Sequence, residues 1–208
     1  MVDCYRRAKG GEKLLDKEQI ERLVEEIKTS GSLEGFGMVI EQLQQPIFTY
    51  CYHMLGHRQE AEDAVQEVFI KAYENLEKYT EVVSFSAWVY KIAYHHCLNL
   101  IKRKRIFRLV PFLNNRVPAD DREEGAARVD QGQLSAPLHR ALSTLSPEER
   151  NLILLRVIEE KGYEELSVLF QEKPATLRKR YERAMKKCKN QLLSQKGGEM
   201  SEAFRLIR

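Results

Sequence analysis

The sequence predicts an all-α protein: two small helical domains joined by a flexible linker, the C-terminal one carrying a helix-turn-helix. Three observations predict this. Apolar residues recur at helical spacing along nearly the whole chain. Alternating β-type stretches with glycine-rich hairpins are missing. From 107 to 134 the pattern fades, and Pro111, Pro118, "NNR", "ADDREEG" and "DQGQ" supply turn formers and charge without a continuous apolar face. Such a stretch is long for a loop inside one compact domain, so it reads as a tether. The chain divides into an N-terminal extension (1–19), a first domain (20–106), the linker (107–134), a second domain (135–195) and a tail (196–208).

The elements follow in order. An amphipathic segment runs from about Leu14 to Lys28, and "GSLEGFG" interrupts it with three glycines. Ser32 is placed to cap the next helix. That helix, Met38–Leu55, sets Met38, Leu43, Ile47, Cys51 and Met54 on one face, and Pro46 is expected to break or kink it. Helices over 59–78 and 84–106 come next. Beyond the linker lie 137–144, 147–160, 163–170 and 174–195. "SPEE" at 146–149 is a helix start with Ser146 as N-cap, Pro147 first and Glu149 third, closing a capping box.

With 208 residues, 43% hydrophobic and 31% charged, the chain suits one domain or two small ones with modest cores. The net charge of +3 says little, but its distribution says more. Basic residues crowd into "IKRKRIFR" (101–108) and "LRKRYERAMKKCK" (177–189), which suggests two places where a polyanion is met. No apolar run is long enough to span a bilayer and the start lacks a signal-peptide core, so a cytoplasmic protein is expected. Cys4, Cys51, Cys97 and Cys188 form no C-x-x-C pair and read as free thiols.

"EAEDAVQEVF" (60–69) concentrates four carboxylates. On a helical wheel Ala61, Ala64, Val65, Val68, Phe69, Ala72 and Leu76 gather on one face, with Asp63, Gln66 and Glu67 on the other. Catalytic carboxylate pairs need a cleft that tunes their pKa values apart, and an exposed helix face offers none. A metal there would need ligands from another element, with His53 and His57 the nearest. "HHC" at 95–97 fails as a metal site because neighbouring helical residues point about 100° apart. No enzyme, cofactor or metal is expected.

The run "EAEDAVQEVFIKAYENL" resembles the signature helix of bacterial sigma factors, in particular the extracytoplasmic-function (ECF) class. "FSAWVYKIAYHHCLNLIKRKR" is similar to the helix that follows in the family, with Phe85, Trp88, Ile92 and Ala93 matching and His95 and Asn99 in place of the usual Asn and Asp. "GYEELSVLFQEKPATLRKRYERAMKKC" resembles its C-terminal helix-turn-helix, with Gln171 where the family has a turn glycine. The resemblance implies a sigma factor that binds core RNA polymerase and directs promoter-specific initiation. Asp63, Gln66 and Glu67 would dock on the coiled coil of the polymerase clamp. It also implies an anti-sigma factor as a partner.

In the family the loop in "EKYTEVVSFSAW" and the next helix separate the strands of the −10 element and hold a flipped base. Such a site needs aromatic or apolar surface beside a basic track. Tyr79 and Phe85 are the candidates for the surface, and Lys91, Lys102, Arg103 and Arg105 for the track, although Phe85, Trp88 and Ile92 at helical spacing also read as core. In the second domain Leu166, Leu169 and Phe170 pack the first helix of the motif. Leu177, Tyr181, Ala184 and Cys188 line the inner face of the second. Ala175, Thr176, Arg178, Lys179, Arg180 and Arg183 are left outward, to meet the −35 element in the major groove. An autonomous helix-turn-helix regulator is the alternative reading, and it would have no use for the acidic face.

Overall fold

The computed structural model describes residues 15–109, 136–157 and 159–194, all helix or the turns between helices. Helix α1 spans Lys17–Ser30 and opens on a reciprocal cap. Asp16 Oδ1 accepts from the Gln19 amide at 2.8 Å, and Gln19 Oε1 accepts from the Asp16 amide at 2.9 Å. It closes on Gly31, whose φ of 67° lies in the left-handed region. Helix α2 spans Leu33–Leu55, with Ser32 Oγ accepting from the Gly35 amide at 3.1 Å as expected. Then come α3 (Arg58–Glu74), a 3-10 turn (Leu76–Lys78) and α4 (Phe85–Leu109). The second domain holds α5 (Ala136–Ser143), α6 (Pro147–Val157), α7 (Tyr163–Phe170) and α8 (Pro174–Ser194).

In the first domain α2, α3 and α4 bury Ile47, Cys51, Met54, Ala64, Val68, Ala72, Val89, Ala93 and Cys97, while α1 adds Val24 and Ile27. Each large aliphatic side chain buried this way contributes about 1.5–3 kcal/mol. The small residues Ala61, Ala64 and Ala72, almost fully buried, let α3 approach its neighbours closely. Cys51 and Cys97 hydrogen-bond to one another in this core; that bond and burial push the Cys51 thiol well up. Both are free, as is the buried Cys188; Cys4 lies outside the described residues. The second domain closes around Leu142, Leu152, Leu154, Leu166, Leu177 and Ala184. Its "SPEE" start forms the expected box: Ser146 Oγ accepts from the Glu149 amide at 3.2 Å, and Glu149 Oε2 accepts from the Ser146 amide at 3.1 Å.

Four expectations are corrected. Helix α2 runs unbroken through Pro46, held by buried Val39 and Leu43 before it and Ile47 and Tyr50 after it. Met38 is 48% exposed rather than on the buried face, because five residues from Leu43 is an offset of about 140°. The helix expected over 59–78 ends at Glu74, where the Asn75 side chain donates to the Lys71 carbonyl at 2.8 Å and competes for it. The helix expected over 147–160 ends at Val157, and Glu160 has a left-handed φ of 53°.

The two domains pack against each other. Tyr50 of α2 donates to Asn151 Oδ1 of α6 at 2.7 Å, and both residues are 1% exposed. Arg150 donates to the Leu142, Ser143 and Met54 carbonyls at 3.0, 3.2 and 2.6 Å, tying α5 and α6 to the end of α2. Ser84 donates to Glu165 at 2.6 Å, and Lys161 reaches Ser86 at 3.0 Å. Gly56, with φ 82°, holds a left-handed conformation that favours glycine, beside the His139 ring of α5. Most of the expected linker, the first fourteen residues and the tail from 195 lie outside the described residues.

Candidate functional site

The acidic stretch of α3 separates into two sides. Glu60 turns inward and pairs with Lys104 of α4, and Glu62 pairs with Arg58 at 2.9 Å. Asp63, Gln66 and Glu67 are all exposed and lie together on one stripe, with Ile70, 52% exposed, one turn beyond. Lys71 sits 3.7 Å from Glu67 and 2.8 Å from His96 Nδ1. Burial, and then the Lys71 ammonium, hold His96 below its ordinary value, so a neutral ring accepts from Lys71. The stripe is thus a polar face on a helix whose other side is fixed by core packing.

The aromatic residues expected at the surface are elsewhere. Tyr79 is 2% exposed and Phe85 0%; with their rings 5.2 Å apart and near perpendicular, they pack against Trp88 as core. The reason is a residue the sequence reading passed over. Glu21 of α1 accepts from the Tyr79 hydroxyl at 2.7 Å and from the Phe85 amide at 2.8 Å, drawing both ends of the loop inward. Burial first, and then Glu21, raise the Tyr79 pKa, so its hydroxyl remains a donor. The tip residues Thr80, Glu81 and Val82 are exposed, Val82 by 71%. Lys91, Lys102, Arg103 and Arg105 are all exposed on α4. Lys104, between them, is the one held by Glu60.

The helix-turn-helix forms from α7 and α8. Gln171, where a glycine was the expected turn residue, takes a left-handed φ of 54° and donates its amide to the Ser167 carbonyl. Leu166, Leu169, Leu177, Ala184 and Cys188 are buried, with Phe170 and Tyr181 partly so. Ala175, Thr176, Arg178, Lys179 and Arg183 are exposed. The Arg178 guanidinium lies over the Tyr163 ring at 5.4 Å, and Arg183 donates to the Lys179 carbonyl at 3.3 Å. Arg180 differs: it is partly covered and bonds Glu172 at 2.7 Å.

Arg180 faces a cavity of about 360 Å³ between the domains, shared with Lys91, Tyr94, His95, Glu148 and Phe170. At the other end of the interface His53 (1% exposed) lies 6.2 Å, ring to ring, from His139, and neither ring nitrogen of His53 has a hydrogen-bond partner. Burial, then His139 and Arg150, hold His53 down to about 3. Among the described residues no three His, Cys, Asp or Glu side chains converge as a metal would require, and no helix is long and apolar enough to cross a membrane.

An exposed acidic helix face, basic residues along α4 and a helix-turn-helix stand on two helical domains. Comparison with known proteins shows the family. Residues 39–106 match the family Sigma-70 region 2, and residues 135–188 match Sigma-70, region 4. The chain is 29% identical over 163 residues to the ECF RNA polymerase sigma factor SigE of Mycolicibacterium smegmatis, covering 77% of this chain and 63% of that protein. It is 26% identical over 182 residues to the ECF sigma factor SigW of Bacillus subtilis, covering 83% and 96%. In fold it resembles the sigma factor RpoE in its complex with the anti-sigma factor NepR from Bartonella quintana, with a TM-score of 0.63 at 19% identity over 79% of this chain and 100% of that one. It also resembles CnrH in complex with the cytosolic domain of CnrY, with a TM-score of 0.62 at 18% identity over 87% and 99%. The chain belongs to the ECF class of RNA polymerase sigma factors. The region 2 match, over residues 39–106 that carry the acidic face, decides against an autonomous regulator.

Proposed function

We propose that this sigma factor works through three surfaces: the α3 stripe Asp63, Gln66 and Glu67 docks on the clamp coiled coil of core RNA polymerase; the tip of the loop between Tyr79 and Phe85, with Lys91, Lys102, Arg103 and Arg105, engages the −10 element; and Ala175, Thr176, Arg178, Lys179 and Arg183 of α8 read the −35 element. The observation that carries the reading is the division of charge on α3. Glu60 turns inward to Lys104 and Glu62 pairs with Arg58, while Asp63, Gln66 and Glu67 are exposed together on one stripe, Glu67 in a loose 3.7 Å pair with Lys71. A small charged patch of this kind gives orientation and partner choice as much as affinity.

Arg180 joins the −35 set only when the cleft opens and its bond to Glu172 is exchanged for phosphate. The closed packing also places Lys91 beside the cavity between the domains. An anti-sigma factor, such as the one in complex with RpoE, belongs to this reading as a partner. In this reading the polymerase carries out the chemistry, in the cytoplasm. The test is reconstitution. The purified chain co-elutes with core polymerase, and the complex transcribes one promoter class that core alone ignores. A chain that binds a DNA site tightly without polymerase, and leaves polymerase specificity unchanged, contradicts the reading.

A further inference from the structure

Helix α1 lies ahead of residues 39–106, the part of the chain that Sigma-70 region 2 covers, yet it holds both ends of the loop between Tyr79 and Phe85. One oxygen of Glu21 accepts from the Tyr79 hydroxyl at 2.7 Å, and the other accepts from the Phe85 amide at 2.8 Å. Phe85 is the first residue of α4, so its amide is one of the donors a helix leaves without an internal partner. A carboxylate there also complements the positive end of the helix dipole. The Tyr79 proton is shared with the Val83 carbonyl at 2.8 Å, which folds the loop back on itself. Lys28, also on α1, reaches the Tyr79 carbonyl at 3.4 Å.

The consequence lies at the loop tip. With Tyr79 and Phe85 pinned, Thr80, Glu81 and Val82 are held out in solvent on a short closed span. Ala87 and Ser84 add to the anchoring, the Ala87 amide donating to Ser84 Oγ at 3.3 Å. Base selection by a loop depends on how narrowly its geometry is fixed, since a displacement of about 1 Å loses much of what a fitted pocket provides.

We propose that Glu21 is a positioning residue for promoter selection: by bonding Tyr79 and the Phe85 amide it sets the shape of the 79–85 loop and with it the base preference at the −10 element. This rests on the assignment of that loop to the −10 element. Helix α1 is then a part of the promoter-reading apparatus rather than an appendage to it.

The experiment uses the full chain with core polymerase on two promoter libraries, one randomised at −10 and one at −35, for wild type, Glu21→Ala, Glu21→Gln and the loop variant Thr80→Ala/Val82→Ala. Helicity and melting of each protein are recorded alongside. Glu21→Ala flattens the −10 preference roughly tenfold, the scale of one hydrogen bond to a charged group, while the −35 profile stays as in wild type. Glu21→Gln, which keeps an acceptor for the Phe85 amide, falls between the two. A uniform loss of transcript across all −10 sequences, with the preference intact, shows a merely structural residue and overturns the proposal. An unchanged Glu21→Ala profile beside a flattened loop variant overturns it too, and leaves the loop assignment standing. A loop variant that keeps the full −10 preference removes the assignment itself, and the proposal with it.

Discussion

Helices α3 and α8 are built alike, each with an apolar side in the core and charge on the other, but they hold that charge differently. On α3 Glu60 turns inward to Lys104, while Asp63, Gln66 and Glu67 face outward with only a loose 3.7 Å pair between Glu67 and Lys71. On α8 the outward set is itself partly engaged: Arg178 lies over Tyr163 and Arg180 bonds Glu172 beside the cleft. On the proposed assignment, a docking face kept apart from the core can be altered with little cost to stability. A DNA-reading face on α8, as proposed, would share Arg180 with the domain interface and so couple binding to the arrangement of the two domains.

The largest effect is expected on the separated face. Glu67→Lys reverses charge at the centre of the stripe and should weaken binding to core polymerase by about 2 kcal/mol or more, as hot-spot residues do. Its melting should stay within about 0.5 kcal/mol of wild type, since Glu67 makes only a long contact with Lys71 at 3.7 Å. Competition for core against the wild-type chain, with a thermal melt, measures both. Full competition by the variant would remove the assigned face.

On α8 the expected costs are of similar or smaller size and differ in kind. Arg178→Ala should cost roughly 1–3 kcal/mol at the preferred −35 sequence and relax selection at one or two bases. Arg183→Ala, further along the helix, should weaken all sequences alike and lower the salt dependence of binding by about one unit of slope. Titrations of −35 duplexes at several salt concentrations distinguish these outcomes.

The coupling between domains should respond to acid. His53 is held down to about 3 against an ordinary 6.5, by burial first and then by His139 and Arg150. His139 is lowered in the same direction by burial and Arg150. The closed contact therefore binds fewer protons than the opened one. Its stabilisation is complete above pH 6.5 and falls as pH drops below that value. At pH 5.5 the loss from His53 alone is on the order of 1 kcal/mol. Small-angle scattering from pH 7.5 to 5.5 should show the molecule expanding while helicity holds. His53→Leu with His139→Leu should abolish the change. The smallest effect is local to the turn: Gln171→Gly relieves a left-handed φ of 54° and should stabilise the second domain by up to about 1 kcal/mol in a melt.

What the sequence made legible was what is local. Ser32 and "SPEE" announced their helix starts because a cap is a matter of three or four adjacent residues. The outward placement of Asp63, Gln66 and Glu67 followed from the period of one helix. Tyr79 and Phe85 were misplaced on the surface because the group that draws them inward, Glu21, is 58 and 64 residues away. Arg180 read as outward for the same reason that Arg178 did, and only the fold brings the Glu172 carboxylate and the facing domain beside it. Nothing local marks Asn151, whose partner, the Tyr50 hydroxyl, is 101 residues away in the other domain.

The difference between the two helices can be tested in one measurement: transcription by reconstituted polymerase from a promoter library randomised at −35, with wild type, Glu67→Lys and Arg178→Ala. Glu67→Lys should lower the amount of transcript at limiting core and leave the sequence profile unchanged. Arg178→Ala should change the profile while competing for core as wild type does. A profile altered by Glu67→Lys, or one identical between wild type and Arg178→Ala, would contradict the division of labour between α3 and α8.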